Sequence, residues 1–254
     1  MTIFQAFVLA VIEGITEFLP ISSTGHMILT AHYLTIENPI LLKSFEVIIQ
    51  FGAILSVVFF YKNKFLKMDF IFYKKLILAF IPTGIIGFLL KNKIDLWLDS
   101  VHIVAWALVL GGIVLIACDF IFKPKENPKT FNNLNSLQIA SLGLFQAIAL
   151  IPGVSRSAAT IVGGLVFKLS KKEAAEFSFF LAVPTMTAAT LYKSVKIIPS
   201  ITANDGGLIL FGLVIAFMVA YFAIKFFIHV VGKYGFLYFG IYRIILGLLI
   251  ILIE

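Results

Sequence analysis

The chain is short of charge. Asp, Glu, Lys and Arg make up 13% of its 254 residues, against the ~25% usual in a soluble domain. Hydrophobic residues fill 61% of it, and its mean hydropathy is +1.06. Those values exclude a soluble enzyme, a disordered chain and a nucleic-acid binder, and they point to the bilayer as solvent. Cysteine occurs once, at Cys118, so no intramolecular disulfide can form and cysteine usage says nothing of the redox compartment. Arginine is nearly missing: Arg156 and Arg243 are the two among 20 cations, which face 13 acidic residues for a net charge of +7. In an apolar chain that excess reads as basic cytoplasmic loops. A positive n-region is also lacking. The first cation is Lys43, and Glu13 and Glu17 interrupt the apolar start, so no signal peptide is expected.

What remains is apolar sequence in long runs. Six windows suit membrane spans: roughly 45–61, 76–90, 101–122, 175–192, 207–231 and 236–253. The window 76–90 is the shortest and needs extension at its flanks or a locally thinned bilayer. Trp97, near the outer end of a span, suits an interface anchor, and Pro82 and Pro184 suggest bends within spans. Loop charges set the orientation. Lys62, Lys64, Lys67, Lys74 and Lys75 face only Asp69; Lys123, Lys125 and Lys129 form a second basic loop; Lys168, Lys171 and Lys172 form a third. These loops read as cytoplasmic. Lys91 and Lys93 are balanced by Asp95 and Asp99, so that loop can face outward.

Two further apolar stretches, 3–34 and 137–167, are broken in the middle by Pro and a polar cluster. The second has basic loops at both ends, so it cannot cross once. It offers 31 residues, where two crossings need ~40. It should enter from the cytoplasm, turn and leave by the same side. Because 45–61 runs from outside to inside, the stretch 3–34 should do the same from the outer face. At an offset of 132, Pro20 aligns with Pro152 and Ser23 with Ser155; at 130, Glu46 aligns with Glu176. The expected fold is therefore an all-α integral membrane protein with about six transmembrane helices and two oppositely oriented re-entrant hairpins in an inverted-topology repeat. It forms a single membrane domain over 1–254: one half at about 1–122, a cytoplasmic linker at about 123–136 and a second half at about 137–254.

The polar clusters carry the chemistry. EGITEFLPISSTGHM places Glu13 and Glu17 at i, i+4 on one helical face. Two carboxylates at membrane depth call for a divalent cation, a proton or a basic partner. Pro20 ends that helix, and Ser22, Ser23 and Thr24 suit the N-cap of a second half-helix, either as ordinary capping or as part of an anion site at its positive end. Gly25 permits close backbone approach. His26 can shuttle a proton or be a satisfied buried imidazole. In PGVSRSAAT, Ser155 or Ser157 can cap another half-helix, and Thr160 adds a hydroxyl. Arg156 has a planar fork suited to phosphate, or it pairs with Glu13 or Glu17. The combination fits metal-assisted hydrolysis of a phosphoanhydride. It does not fit a zinc hydrolase, which wants more His or Cys, and no Walker loop or Rossmann fingerprint is present. The signature of the lipid-phosphate phosphatase superfamily is absent too: its histidine would fall at Val162. A transporter or polyprenyl-phosphate flippase would share broken helices aimed at an anion.

These two motifs resemble those of the bacterial undecaprenyl-diphosphate phosphatases linked to bacitracin resistance. The resemblance extends to FEVIIQFGAIL from Phe45, EAAEFSFFLAVP from Glu173 and YRIILG from Tyr242, and so covers nearly the whole chain. It implies a multi-pass enzyme of the bacterial plasma membrane that removes the terminal phosphate of undecaprenyl diphosphate. The product carries cell-wall precursors. The resemblance further implies two inverted repeats with re-entrant hairpins, a need for Mg²⁺ or Ca²⁺, and a site open to the outer face. Matched residue by residue, Glu13 and Glu17 are the metal and acid/base carboxylates. Ser23 and His26 take the nucleophile or proton-transfer positions. Ser155, Arg156, Ser157 and Thr160 form the phosphate cradle, with Ser22 and Thr24 beside the substrate. Ser23, His26 or water remains open as the attacking group. Gly111, Gly112, Gly163, Gly164 and Gly247 suit close helix packing, within one chain or in a homodimer, and Glu46, Glu176 and Arg243 have no assigned role.

Overall fold

The computed structural model of the protein describes residues 1–36, 38–98, 100–122, 128–197 and 205–253. Asp99, Lys123, Lys125 and residues 123–127 of the expected linker lie outside the described residues. Among the described residues there are eleven α-helices and no strand; the one β-bridge joins Lys129 to Leu169. The chain is an all-α, multi-pass membrane protein. Five helices are long and apolar enough to cross a bilayer: α3 (Pro39–Phe60), α5 (Phe70–Leu98), α6 (Val101–Ile121), α9 (Lys171–Ile197) and α10 (Gly206–Tyr234). Helix α5 is 29 residues long, so its flanks supply the length that the window 76–90 lacked. Six spans were expected. The sixth, α11 (Leu237–Ile253), has 17 residues and is about 26 Å long at ~1.5 Å per residue, a little under a ~30 Å hydrocarbon core.

Both interrupted stretches form pairs of short helices. The first is α1 (Ile3–Thr16) and α2 (Ser23–Tyr33), followed after α3 by the six-residue α4 (Lys62–Lys67). The second is α7 (Ser136–Ile148) and α8 (Arg156–Val166). None exceeds 14 residues, or about 21 Å, so none can cross a bilayer alone. Their starts are encoded alike. Thr2 caps α1 and Asn135 caps α7, each in a capping box with a glutamine, Gln5 or Gln138. Ser22 caps α2 and Ser155 caps α8, with φ of 70° and 73°. A positive φ on a serine is a strained conformation that the surrounding structure must enforce. Ser22 and Ser155 are 133 positions apart (155 − 22), so by element position Ser22 pairs with Ser155. The alignment at 132 had paired Ser23 with Ser155; Ser23 instead shares its place with Arg156, the first residue of α8.

Packing is reciprocal between the halves. α1 lies against α10, and α7 lies against α5. α6 pairs with α11, and α3 with α9. Lipid tails are as apolar as the side chains, so helix association here depends on close approach and polar bonds. At the α6–α11 crossing, a Cβ on Gly112 would sit 2.6 Å from the Gly240 carbonyl oxygen. The expected small-residue contacts are spent inside the chain: Gly111 and Gly112 against α11, Gly163 against Phe145, Gly164 against Ala174 and Gly247 against Ala105. They therefore lend no support to a homodimer. Polar ties add to this. Asp119 of α6 accepts the backbone N–H groups of Phe236 and Leu237 at the start of α11 and pairs with Lys171. Prolines 82 and 184 sit within α5 and α9. The outward faces keep Phe88, Leu89, Trp106, Phe222 and Leu252 more than half exposed, as contact with lipid requires and water would penalise.

Candidate active site

The two polar turns meet. Residues 17–22 link α1 to α2, and residues 149–155 link α7 to α8. Ser157, at the start of α8 just after the second turn, donates to the Leu19 carbonyl of the first at 2.9 Å. Phe18 packs edge-on to Phe179, and the Arg156 guanidinium lies over the Phe18 ring at 5.6 Å. The N-terminus of α2 and that of α8 therefore open beside one another.

Glu17 is the hinge of the arrangement. Its Oε1 accepts from Arg156 Nη2 at 2.9 Å, and its Oε2 accepts the Ser23 hydroxyl at 2.7 Å. The pair is nearly closed off from solvent, with Glu17 4% and Arg156 12% exposed. One carboxylate thus joins residues 139 positions apart to a hydroxyl six positions away. Ser23 stands at the opening of a helix, and Glu17 is placed to take its proton. Arg156 is further held by the Ser178 carbonyl at 3.0 Å, the Ser178 hydroxyl at 3.4 Å and Met186 Sδ at 3.2 Å. Its Nε, buried, has no hydrogen-bond partner. A charged donor left free beside two helix N-termini is suited to an anion. Ser23 and Thr24 open α2, and Arg156 and Ser157 open α8, positions whose amides have no acceptor within their own helix.

Glu13 lies one helical turn from Glu17, is 3% exposed, and has a buried Oε1 without a partner. A desolvated carboxylate oxygen with nothing to accept is costly. With Glu17 alongside, the donor set is oxygen-only and suits a hard divalent cation. Among the described residues no group of three or more His, Cys, Asp or Glu side chains clusters around a common point, so other ligands would have to be substrate oxygens or water.

The remaining residues divide by where their hydroxyls point. Ser23, Thr24 and Ser155 are partly exposed at the opening. Ser22 accepts from the Gly25 N–H, and Ser155 from the Ala158 N–H, as caps. Ser157 and Thr160 are fully buried. Thr160 donates within reach of the Ser178 hydroxyl at 2.7 Å, so both residues brace the turn and Arg156 from behind. His26 turns away from Ser23. Its Nδ1 lies 2.8 Å from the Ser22 carbonyl, which can only accept, so Nδ1 carries the proton. Nε2 of the neutral ring then accepts from the Tyr242 hydroxyl at 2.7 Å, and the two rings stack at 5.5 Å. Tyr242, Ser178 and Met186 were not expected at the site. Tyr242 lies inside the YRIILG motif and Ser178 inside EAAEFSFFLAVP, the one sequence signal of each; Met186 is an ordinary residue of an apolar helix and gave none.

A cavity of about 630 Å³ lies elsewhere, lined by residues of α4, α9 and the turn at Phe131–Asn133. Most of its charges are already engaged: Lys64 pairs with Glu176, Glu173 accepts the Phe131 N–H and Asp69 the Phe72 N–H. No residue of the polar turns lines it, so it is not the candidate site.

Residues 6–249 match the family model described as "Bacitracin resistance protein BacA". Curated relatives cover the chain end to end. A protein of Bdellovibrio bacteriovorus named undecaprenyl-diphosphatase is 54% identical over 100% of this chain and 96% of its own. Proteins of the same name from Persephonella marina and Aquifex aeolicus are 49% and 46% identical, over 99% of both chains and over 98% and 97% respectively.

Proposed function

Because the chain belongs to the bacitracin resistance protein BacA family, we propose that it hydrolyses undecaprenyl diphosphate to undecaprenyl phosphate and inorganic phosphate. The contact of Glu17 with both Arg156 and Ser23 carries this reading, because it puts a base, a hydroxyl and a phosphate-binding fork within one bond of each other. The substrate's phosphates lie between the two polar turns and its polyprenyl tail runs between helices into lipid. Arg156, through its free Nε, and the first amides of α2 and α8 hold the phosphate oxygens. Glu13 and Glu17 would hold a divalent cation, Mg²⁺ or Ca²⁺, and its charge would offset that of the phosphates.

Ser23 Oγ attacks the terminal phosphorus while Glu17 takes its proton. The bond from that phosphorus to the bridging oxygen breaks, and undecaprenyl phosphate leaves. Water then cleaves the phosphoserine, releasing inorganic phosphate. His26 acts in this second half through Tyr242: the attacking water gives its proton to the Tyr242 hydroxyl oxygen as that hydroxyl passes its own proton to Nε2. The hairpin of α1 and α2 enters from the outer face and that of α7 and α8 from the cytoplasm, in the bacterial plasma membrane, with the site open outward. The basic loops support this orientation, and the reciprocal packing of α1 on α10 and α7 on α5 supports two inverted halves.

The same reciprocity favours a second reading, a polyprenyl-phosphate flippase or anion transporter. Purified protein in detergent separates them, since detergent abolishes transport and leaves hydrolysis possible. Release of phosphate from undecaprenyl diphosphate is expected; a folded protein that binds the lipid and releases none overturns the hydrolase. Labelled substrate should leave a phospho-enzyme that is lost in Ser23→Ala and accumulates in His26→Ala. No label in the unmodified protein or in His26→Ala would transfer the attack to water.

A further inference from the structure

Arg243 is the largest fully buried side chain, at 0% exposure, and it sits on α11, far in sequence from either polar turn. Its five N–H donors have five acceptors, all backbone carbonyls. Nη1 donates to Pro20 at 3.0 Å and Val154 at 2.9 Å. Nη2 donates to Gly153 at 2.9 Å and Ala107 at 3.0 Å, and Nε to Leu108 at 3.4 Å. No carboxylate pairs with it among the described residues. A cation buried in a membrane protein without a counter-ion is costly and calls for an explanation.

The acceptors supply one. Pro20 belongs to the first polar turn, and Gly153 and Val154 to the second. Carbonyls in such non-helical segments lack the partners a helix would give them, and at membrane depth they must find others. The guanidinium takes carbonyls from both turns at once and ties them to α6. Val154 directly precedes Ser155, and Pro20 lies two residues before Ser22, so any shift of the fork passes straight to the two strained caps. The groove is shaped for it: a Cβ on Gly111 would overlap the Arg243 guanidinium. With every donor used, Arg243 has none left for a substrate.

We infer that Arg243 is a positioning residue that fixes the separation of the two polar turns, and through it the geometry between Ser23–Glu17 and Arg156. Its charge behind both helix N-termini adds to the positive field at the anion site. The inference rests on the hydrolase reading.

The test uses the full-length protein in detergent, assayed for phosphate release from undecaprenyl diphosphate. Arg243→Lys keeps the charge and loses the fork; Gly111→Ala keeps the arginine and crowds it. Both are expected to lower kcat about 100-fold, since displacements near 1 Å at a reacting centre have effects of that size, while KM changes less than about threefold because charge and lipid contacts remain. Arg156→Lys, which alters a direct phosphate contact, should raise KM as well. Should Arg243→Lys not fold, Gly111→Ala decides. Folded variants with unchanged kcat, or with KM raised in step with the loss of kcat, overturn the inference. So does collapse of both variants, which would make Arg243 a general core residue. An inactive unmodified protein would instead refute the hydrolase reading itself.

Discussion

Replacing Glu17 by Gln changes one oxygen to an amide at constant shape, with separate consequences for stability and for rate. Oε1 still accepts from Arg156, but as a neutral group, so a buried guanidinium loses its counter-charge. Removing one partner of a buried pair costs about 3–5 kcal/mol. Two effects reduce that figure. Arg156 keeps its bonds to Ser178 and Met186, and Glu13 remains one turn away. Relief of the Glu13–Glu17 repulsion returns about 0.2–0.5 kcal/mol at an exposed i, i+4 pair and more when buried, still less than the pair is worth. The net destabilisation comes to about 2–4 kcal/mol. The rate falls for its own reason: the amide cannot take the Ser23 proton, and loss of a general base lowers turnover about 100- to 10,000-fold. Thermal unfolding in detergent reads the first effect and phosphate release the second. A folded Glu17→Gln protein that retains turnover within tenfold of the parent would refute the assignment of Glu17 as base.

Chelation of divalent cations should abolish phosphate release, Mg²⁺ or Ca²⁺ should restore it, and Glu13→Gln should raise the cation concentration needed for half-maximal rate by about 10- to 100-fold; an unchanged requirement would remove Glu13 from the cation. Tyr242→Phe deletes one hydrogen bond to His26, worth about 1 kcal/mol, so turnover should fall about fivefold with slower decay of the phospho-enzyme. Unaltered decay in both Tyr242→Phe and His26→Ala would take His26 out of the second step. At Gly153, φ is +93° and an added Cβ would lie 2.5 Å from the Val104 carbonyl oxygen; Gly153→Ala should destabilise the protein by about 3 kcal/mol, seen as a lowered thermal midpoint, and a neutral effect would mean that the second turn packs more loosely against α6 than these distances require.

Much of this was legible in the sequence because the signals were local or compositional. Proline and a Ser/Thr cluster inside an apolar run marked both turns, and Glu13, Glu17 and Arg156 stood out because charge is so scarce. Their convergence followed from having one buried cation near the motifs and two carboxylates to satisfy. The direction of hydroxyls was not legible. Ser157 and Thr160 look like donors in the motif, yet which face of α8 points to the opening depends on where the Ser155 cap starts the helix. The one-residue error in repeat register has the same origin: Ser23 and Ser155 match by letter, while Ser22 and Ser155 match by backbone conformation. His26 was paired in expectation with its neighbour Ser23. Its actual partner, Tyr242, is 216 positions away, and no spacing rule reaches that far. Arg243 was conspicuous in the sequence but uninterpretable there, because its acceptors are backbone carbonyls that no side-chain motif announces.

The central claim is that Glu17 and Arg156, from different halves of the chain, act as one unit around a bound phosphate. A double-mutant cycle on phosphate release with Glu17→Gln, Arg156→Lys and the combination measures that directly. Residues in contact around one substrate should show a coupling energy of about 1–3 kcal/mol, the double variant losing far less than the product of the single losses. Single losses that multiply independently, within a factor of about two, would contradict the account.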